Sequence, residues 1–110
     1  MNISVTFRNS EPSDALRTYA EEKLAKVKKY LHEPIDMHVV LAVEKFRHHA
    51  EVTLTADQHV INCKEQTEDM YSAVDKLVGT LERQIKKAKG RGNHHKGDMD
   101  TASAAKELGG

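Results

Sequence analysis

From Arg83 to Lys96 six cations, Arg83, Lys86, Lys87, Lys89, Arg91 and Lys96, follow one another without an acidic residue. A second acid-free run, Lys23, Lys26, Lys28 and Lys29, lies early in the chain. Lys+Arg and Asp+Glu number 17 each, so charge is sorted along the sequence while the net charge is zero. The chemistry such runs perform is electrostatic: ammonium groups meet phosphates as point charges, and guanidinium groups add a planar fork. No nucleophile with a nearby base, metal-ligand cluster or glycine-rich phosphate loop accompanies them, so an enzyme is not expected. Cys63 is the single cysteine, which excludes an intrachain disulfide and a zinc site built on several thiolates. No His pair is spaced i, i+4 within an expected helix; His48-His49 fall in a hairpin and His94-His95 in a tail. Neither a metal nor another cofactor is expected.

The cations need elements to position them. Ile3, Val5 and Phe7 alternate with polar residues, as in a strand with one buried face. Ser13 is a good N-cap, and Leu16, Ala20, Leu24, Val27 and Leu31 follow at helical spacing until Pro34, predicting a helix over roughly 13–31. Alternation returns in Met37 to Val43, in Ala50 to Ala56 and in Ile61 with Cys63, predicting three strands joined as hairpins around Lys45 to Arg47 and Asp57-Gln58. From Asp69 the helical period resumes through Met70, Val74, Leu77, Val78, Leu81 and Ile85 and is expected to stop near Gly90. Residues 91–110 hold almost nothing to bury and read as a disordered tail behind a single domain over 1–90. With no apolar run near the ~20 residues of a membrane span and no signal-like order at Met1, a cytoplasmic chain is expected.

This order, β-α-β-β-β-α, predicts an α+β two-layer sandwich. A strand-helix-strand unit of this length should make the first two strands parallel by a right-handed crossover. Both helices then run the same way over one face of a four-stranded sheet, and their lysine-rich C-terminal ends meet. Cations in a helix's last turn also complement its macrodipole, by about 0.3–1 kcal/mol each. That effect fades within a turn. Lys23 and Arg83 lie about two turns from their helix ends, so the dipole does not account for them.

Glu68-Asp69-Met70-Tyr71-Ser72-Ala73-Val74, then Leu77, then Leu81-Glu82-Arg83-Gln84-Ile85-Lys86-Lys87-Ala88-Lys89 closely resembles the signature helix of bacterial ribosome hibernation promoting factors. This family, with ribosome-associated inhibitor A, is also labelled sigma-54 modulation proteins. Ala15-Leu16-Arg17 and Lys23-Leu24-Ala25-Lys26-Val27 look like its first helix, and the likeness spans roughly residues 2–90. The resemblance implies a fold related to the double-stranded RNA-binding domain. It also implies binding to the 30S subunit and 70S ribosome, on 16S rRNA in the channel of mRNA and the A-site and P-site tRNAs. Translation would be inhibited by occupancy, and inactive ribosomes stabilised in stationary phase or stress. By position, the implied RNA-binding residues are Lys23, Lys26 and Lys29 on the first helix, Lys76, Arg83, Lys86, Lys87 and Lys89 on the second, with Arg91 beyond it. A short form, monomeric off the ribosome, without DNA or membrane partners, is implied. Two other readings are a general double-stranded RNA-binding module and a protein-interaction module acting on transcription.

Overall fold

The computed structural model describes residues 1–93. The disordered tail expected over 91–110 lies outside the described residues from His94 onward, as do His94-His95 and Lys96. Four strands, β1 (Asn2–Arg8), β2 (Asp36–Glu44), β3 (Arg47–Ala56) and β4 (His59–Thr67), form one sheet in the order β1-β2-β3-β4. β1 pairs with β2 in parallel and the other two pairings are antiparallel. The register aligns Val5, Val39, Val52 and Cys63 in one row across all four strands. Each of these is buried. Since side chains alternate between faces, the same register puts Ser4, His38, Thr53 and Asn62 in a row on the other face. There Ser4 Oγ lies 2.6 Å from His38 Nδ1, and Asn62 Nδ2 donates to Thr53 Oγ1 at 2.9 Å.

The hairpins β2–β3 and β3–β4 turn in two residues, Lys45-Phe46 and Asp57-Gln58. Such tight turns match the twist of the strands by using positive φ, which occurs here at Lys45 (56°), Asp57 (52°) and Gln58 (64°).

Helix α1 (Asp14–Leu24) begins as the sequence predicts, with Ser13 Oγ accepting from the Leu16 N–H at 3.2 Å. It does not continue as an α-helix to residue 31. From Ala25 to Tyr30 the chain winds as a 3-10 helix, and Leu31 is extended. This tightening lets the chain leave the helix before Pro34, whose ring disfavours helical backbone in the residue ahead of it. At three residues per turn, Leu24, Val27 and Tyr30 fall on one side, and the first two are fully buried.

Helix α2 (Met70–Asn93) buries Met70, Ala73, Val74, Leu77, Leu81 and Ile85 against the sheet. Each fully buried Leu, Ile or Val contributes about 1.5–3 kcal/mol. The helix runs through Gly90 to Asn93, beyond the expected stop, and so carries Arg91 in its last turn. A glycine inside a helix costs only about 1 kcal/mol relative to alanine, and nothing crowds Gly90.

At the start of α2, Asp69 Oδ2 accepts from the Ser72 N–H at 2.9 Å, while the Asp69 N–H donates to Thr67 Oγ1 at 3.1 Å. The bond from Ser72 holds the Asp69 carboxyl below the usual range. A depressed folded value means that this contribution is complete above the unfolded pKa of about 4 and is lost as pH falls through the folded value. Asp69→Ala therefore lowers Tm at pH 7 and by less in acid below about pH 3, whereas Asp69→Asn, which caps as well, keeps most of the wild-type Tm. Thermal melts at both pH values check this; an equal deficit at both would remove Asp69 as the cap.

Candidate nucleic-acid interface

Two tyrosines set the helices side by side. Tyr19 on α1 meets the Tyr71 ring edge-on, with centroids 4.9 Å apart, and its hydroxyl donates to Asp75. Eleven residues further along both helical segments, the Tyr30 hydroxyl donates to Glu82 Oε2 at 3.0 Å. The contacts advance in the same direction on both elements, so the two are parallel and their C-terminal ends share a pole, as the strand order predicts. The first contact also holds the Tyr19 hydroxyl above its ordinary pKa, because its hydrogen bond to the Asp75 carboxylate favours the protonated phenol.

At that pole Lys29 Nζ and Lys86 Nζ lie 5.3 and 5.2 Å from the centre of the Tyr30 ring. A cation–π contact of about 0.5–1 kcal/mol restrains an ammonium without neutralising it, so its charge stays available to a phosphate. Lys23 Nζ stands in the same relation to Tyr19 at 5.3 Å. The 3-10 winding also stacks Lys26 and Lys29, three residues apart, in one exposed ridge. Lys28 points elsewhere, toward Glu33 at 3.9 Å.

The remaining predicted residues do not join this ridge. Lys76, Arg83 and Lys87 share a stripe of α2 with Thr80, which faces β4 by donating to Glu65 Oε2 at 2.6 Å. Lys76 Nζ lies 3.8 Å from Glu65 Oε1, and Arg83 Nη2 donates to Thr80 Oγ1 at 3.1 Å. Lys89 is drawn into an ion pair with Asp57 Oδ2 at 2.9 Å, and its side chain is only 31% exposed. Asp57 also accepts from the His32 N–H at 3.3 Å, and these bonds, that from Lys89 first, hold its carboxyl below the usual range. The lysine-rich ends that the sequence brings to one pole are therefore divided into Lys29 and Lys86 over the Tyr30 ring with Lys26 one turn before Lys29, a separate flank over β4, and one lysine tied to a hairpin. Two runs can share a pole and still point to different sides, because a helix distributes successive cations around its axis.

Tyr19 and Tyr30 both lie half-buried at the edge of the core and gather the lysines, a role that the sequence analysis did not assign to them. The matched eleven-residue spacings of Tyr19 to Tyr30 and Tyr71 to Glu82 carried the signal. Tyr71 is 41% exposed beside Tyr19. Cys63 is buried, which pushes its thiol pKa up. Among the described residues no group of three His, Cys, Asp or Glu could hold a metal ion, and no helix is long and apolar enough to cross a membrane.

The described residues thus define a β-α-β-β-β-α sandwich with one open sheet face and a cationic pole on its helical layer. The chain belongs to the family described as Sigma 54 modulation protein / S30EA ribosomal protein, whose model matches residues 3–93. It is 35% identical to the ribosome hibernation promoting factor of Escherichia coli K12, over 86% of this chain and all of that one. The ribosome hibernation promoting factor of Pseudomonas putida KT2440 is 34% identical, over 81% of this chain and 87% of that one. Among solved structures, the N-terminal domain of Thermus thermophilus Protein Y matches with a TM-score of 0.74 at 32% identity, covering 80% of this chain and 99% of that domain. A ribosomal subunit interface protein from Coxiella burnetii matches with a TM-score of 0.74 at 27% identity, over 82% of this chain and 99% of that one.

Tyr30→Phe keeps the ring beneath the lysines and removes the hydroxyl bond to Glu82, so it should destabilise by about 0.5–1.5 kcal/mol in denaturant melts. Tyr30→Ala should cost more, through lost packing. A Phe variant as stable as wild type would show that this bond contributes nothing to holding the helices together.

Proposed function

We infer that this chain is a ribosome hibernation factor, acting in the cytoplasm. It binds the 30S subunit, alone or within the 70S ribosome, on 16S rRNA in the channel of mRNA and the A-site and P-site tRNAs. It inhibits translation by occupying that channel and keeps ribosomes inactive through stationary phase or stress. The observation that carries this reading is the meeting of Lys29 and Lys86 over the Tyr30 ring, with Lys26 one turn before Lys29, at the shared end of two parallel helices. The names of its relatives, hibernation promoting factor and subunit interface protein, support the choice of the ribosome as the polyanion.

Binding requires no bond chemistry. Lys23, Lys26, Lys29 and Lys86 act on phosphates from the ridge, and Lys76, Arg83 and Lys87 from the flank over β4. Lys89 and Arg91 extend the site toward the end of α2, Lys89 only after exchanging Asp57 for a phosphate. Phosphate contacts position a protein without reading sequence, so rRNA shape provides the specificity. Counterion release makes the complex salt-sensitive and reversible, and the free protein is a monomer.

Lys86→Glu with Lys87→Glu should leave the fold intact, since both side chains are exposed, and abolish co-sedimentation with ribosomes at moderate salt. Each single charge removal should shallow the dependence of log affinity on log salt by about 0.7–0.9. Sucrose gradients of starved cells, probed for the chain across 30S, 70S and 100S fractions, make the direct check. A charge-reversed variant that travels with ribosomes like wild type would refute these residues as the contact, and a wild-type chain absent from every ribosomal fraction would refute the function.

A further inference from the structure

Phe46 forms the tip of the β2–β3 hairpin with its side chain unsupported, 87% exposed. No other large hydrophobic residue described is so exposed; Val60 follows at 71% and Tyr71 at 41%. The residues on either side of it, Lys45 and Arg47, are exposed cations, and among the described residues neither takes part in an ion pair. The nearest carboxylate in sequence, Glu44, pairs across the hairpin with Arg47 in the sheet register and lies 3.4 Å from His49 Nε2. The turn also holds Lys45 at a φ of 56°, a conformation that Asn, Asp or Gly adopts more readily. A flat apolar ring is thus presented to solvent between two unpaired cations, on a turn too short to fold it back.

This tip is remote from the lysine ridge. β2 enters the hairpin at the end where β1 finishes and α1 begins, and Thr67, the last residue of β4 and three before α2 begins, lies opposite His48. Phe46 therefore stands at the pole of the helix N-termini, and β3 runs ten residues from it to the Asp57 turn beside Lys89. At 3.3 Å per residue, that separates the two poles by about 30 Å.

We propose that the hairpin tip is a second RNA-binding site, in which Phe46 stacks on an unpaired nucleobase while Lys45 and Arg47 meet the phosphates on either side of it. The inference rests on the ribosome-binding reading and adds to it a contact that the helices do not supply. A nucleotide in a single strand offers a planar π face flanked by two phosphates, which matches an aromatic ring flanked by two cations. An apolar pocket on a protein matches less well, because seating the ring there would strip water from two unpaired charges. Two contacts about 30 Å apart on one domain act as linked sites, the first raising the local concentration of RNA at the second.

The chain contains no tryptophan, so Phe46→Trp introduces a single indole at the site. Its fluorescence should be quenched by purified small subunits and, separately, by a single-stranded oligouridylate, but not by an RNA duplex. Phe46→Ala should weaken small-subunit binding by about 5- to 150-fold, the range expected for one aromatic–base stack, with an unchanged Tm because the tip packs on nothing. Phe46→Tyr should restore binding and Phe46→Leu should not. Wild-type affinity in Phe46→Ala overturns the proposal; full affinity in Phe46→Leu with no quenching by oligouridylate overturns it in favour of a protein pocket. If Lys86→Glu with Lys87→Glu loses binding while Phe46→Ala keeps it, the tip site fails and the ribosome reading stands. If the wild type itself ignores small subunits, that reading fails, and quenching by oligouridylate still decides whether the tip stacks.

Discussion

The parallel pairing of β1 with β2 is the constraint from which the rest follows. Parallel neighbours cannot be joined by a tight turn, so the chain must cross over the sheet as a helix before returning. Two antiparallel hairpins then bring it to the same end from which α1 began, and α2 has to run alongside α1. Tyr19 and Tyr30 register that arrangement in side chains, one near each end of the contact. Had β2 been antiparallel to β1, the lysines at the end of α1 and those at the end of α2 would have occupied opposite poles.

Parallel helices bring their negative dipole ends together, which is unfavourable unless something offsets it. The lysines at this pole do so, and in turn the dipoles and the Tyr30 ring lessen the repulsion among the lysines. The cluster thus persists in a chain with equal numbers of acidic and basic residues. Tyr30 is central because its ring accepts two ammonium groups from different elements while its hydroxyl is held by Glu82, one turn before Lys86.

Much of this was legible in the residue pattern. Strict alternation in Met37 to Val43 and in Ala50 to Ala56 marked a half-buried sheet, Ser13 marked the start of α1, and strand order alone placed both cationic runs at one pole. The change from α to 3-10 at Ala25 was not legible, because Leu24, Val27 and Leu31 satisfy a helical period until burial of Val27 and the exit before Pro34 select the tighter winding. The run of α2 past Gly90 was not legible either, because a glycine at the end of a helical period resembles a stop, while inside a helix it is only a modest cost. The pairing of Lys89 with Asp57 joins residues 32 apart in sequence, and local pattern carries no trace of it. The division of the α2 cations between ridge and flank was available from 100° per residue, but only the tertiary contact of Thr80 with Glu65 says which side faces β4.

The 3-10 segment makes the first cationic ridge sensitive to chain length. In three-fold winding, inserting or deleting one residue between Lys26 and Lys29 swings everything after it by about 120°. Such an indel would carry Tyr30 off Glu82 and turn Lys29 away from Lys86, even with composition and charge unchanged. Length variation among homologous chains should therefore collect outside this segment, in the 31–35 connection, while the three-residue spacing of Lys23, Lys26 and Lys29 is kept.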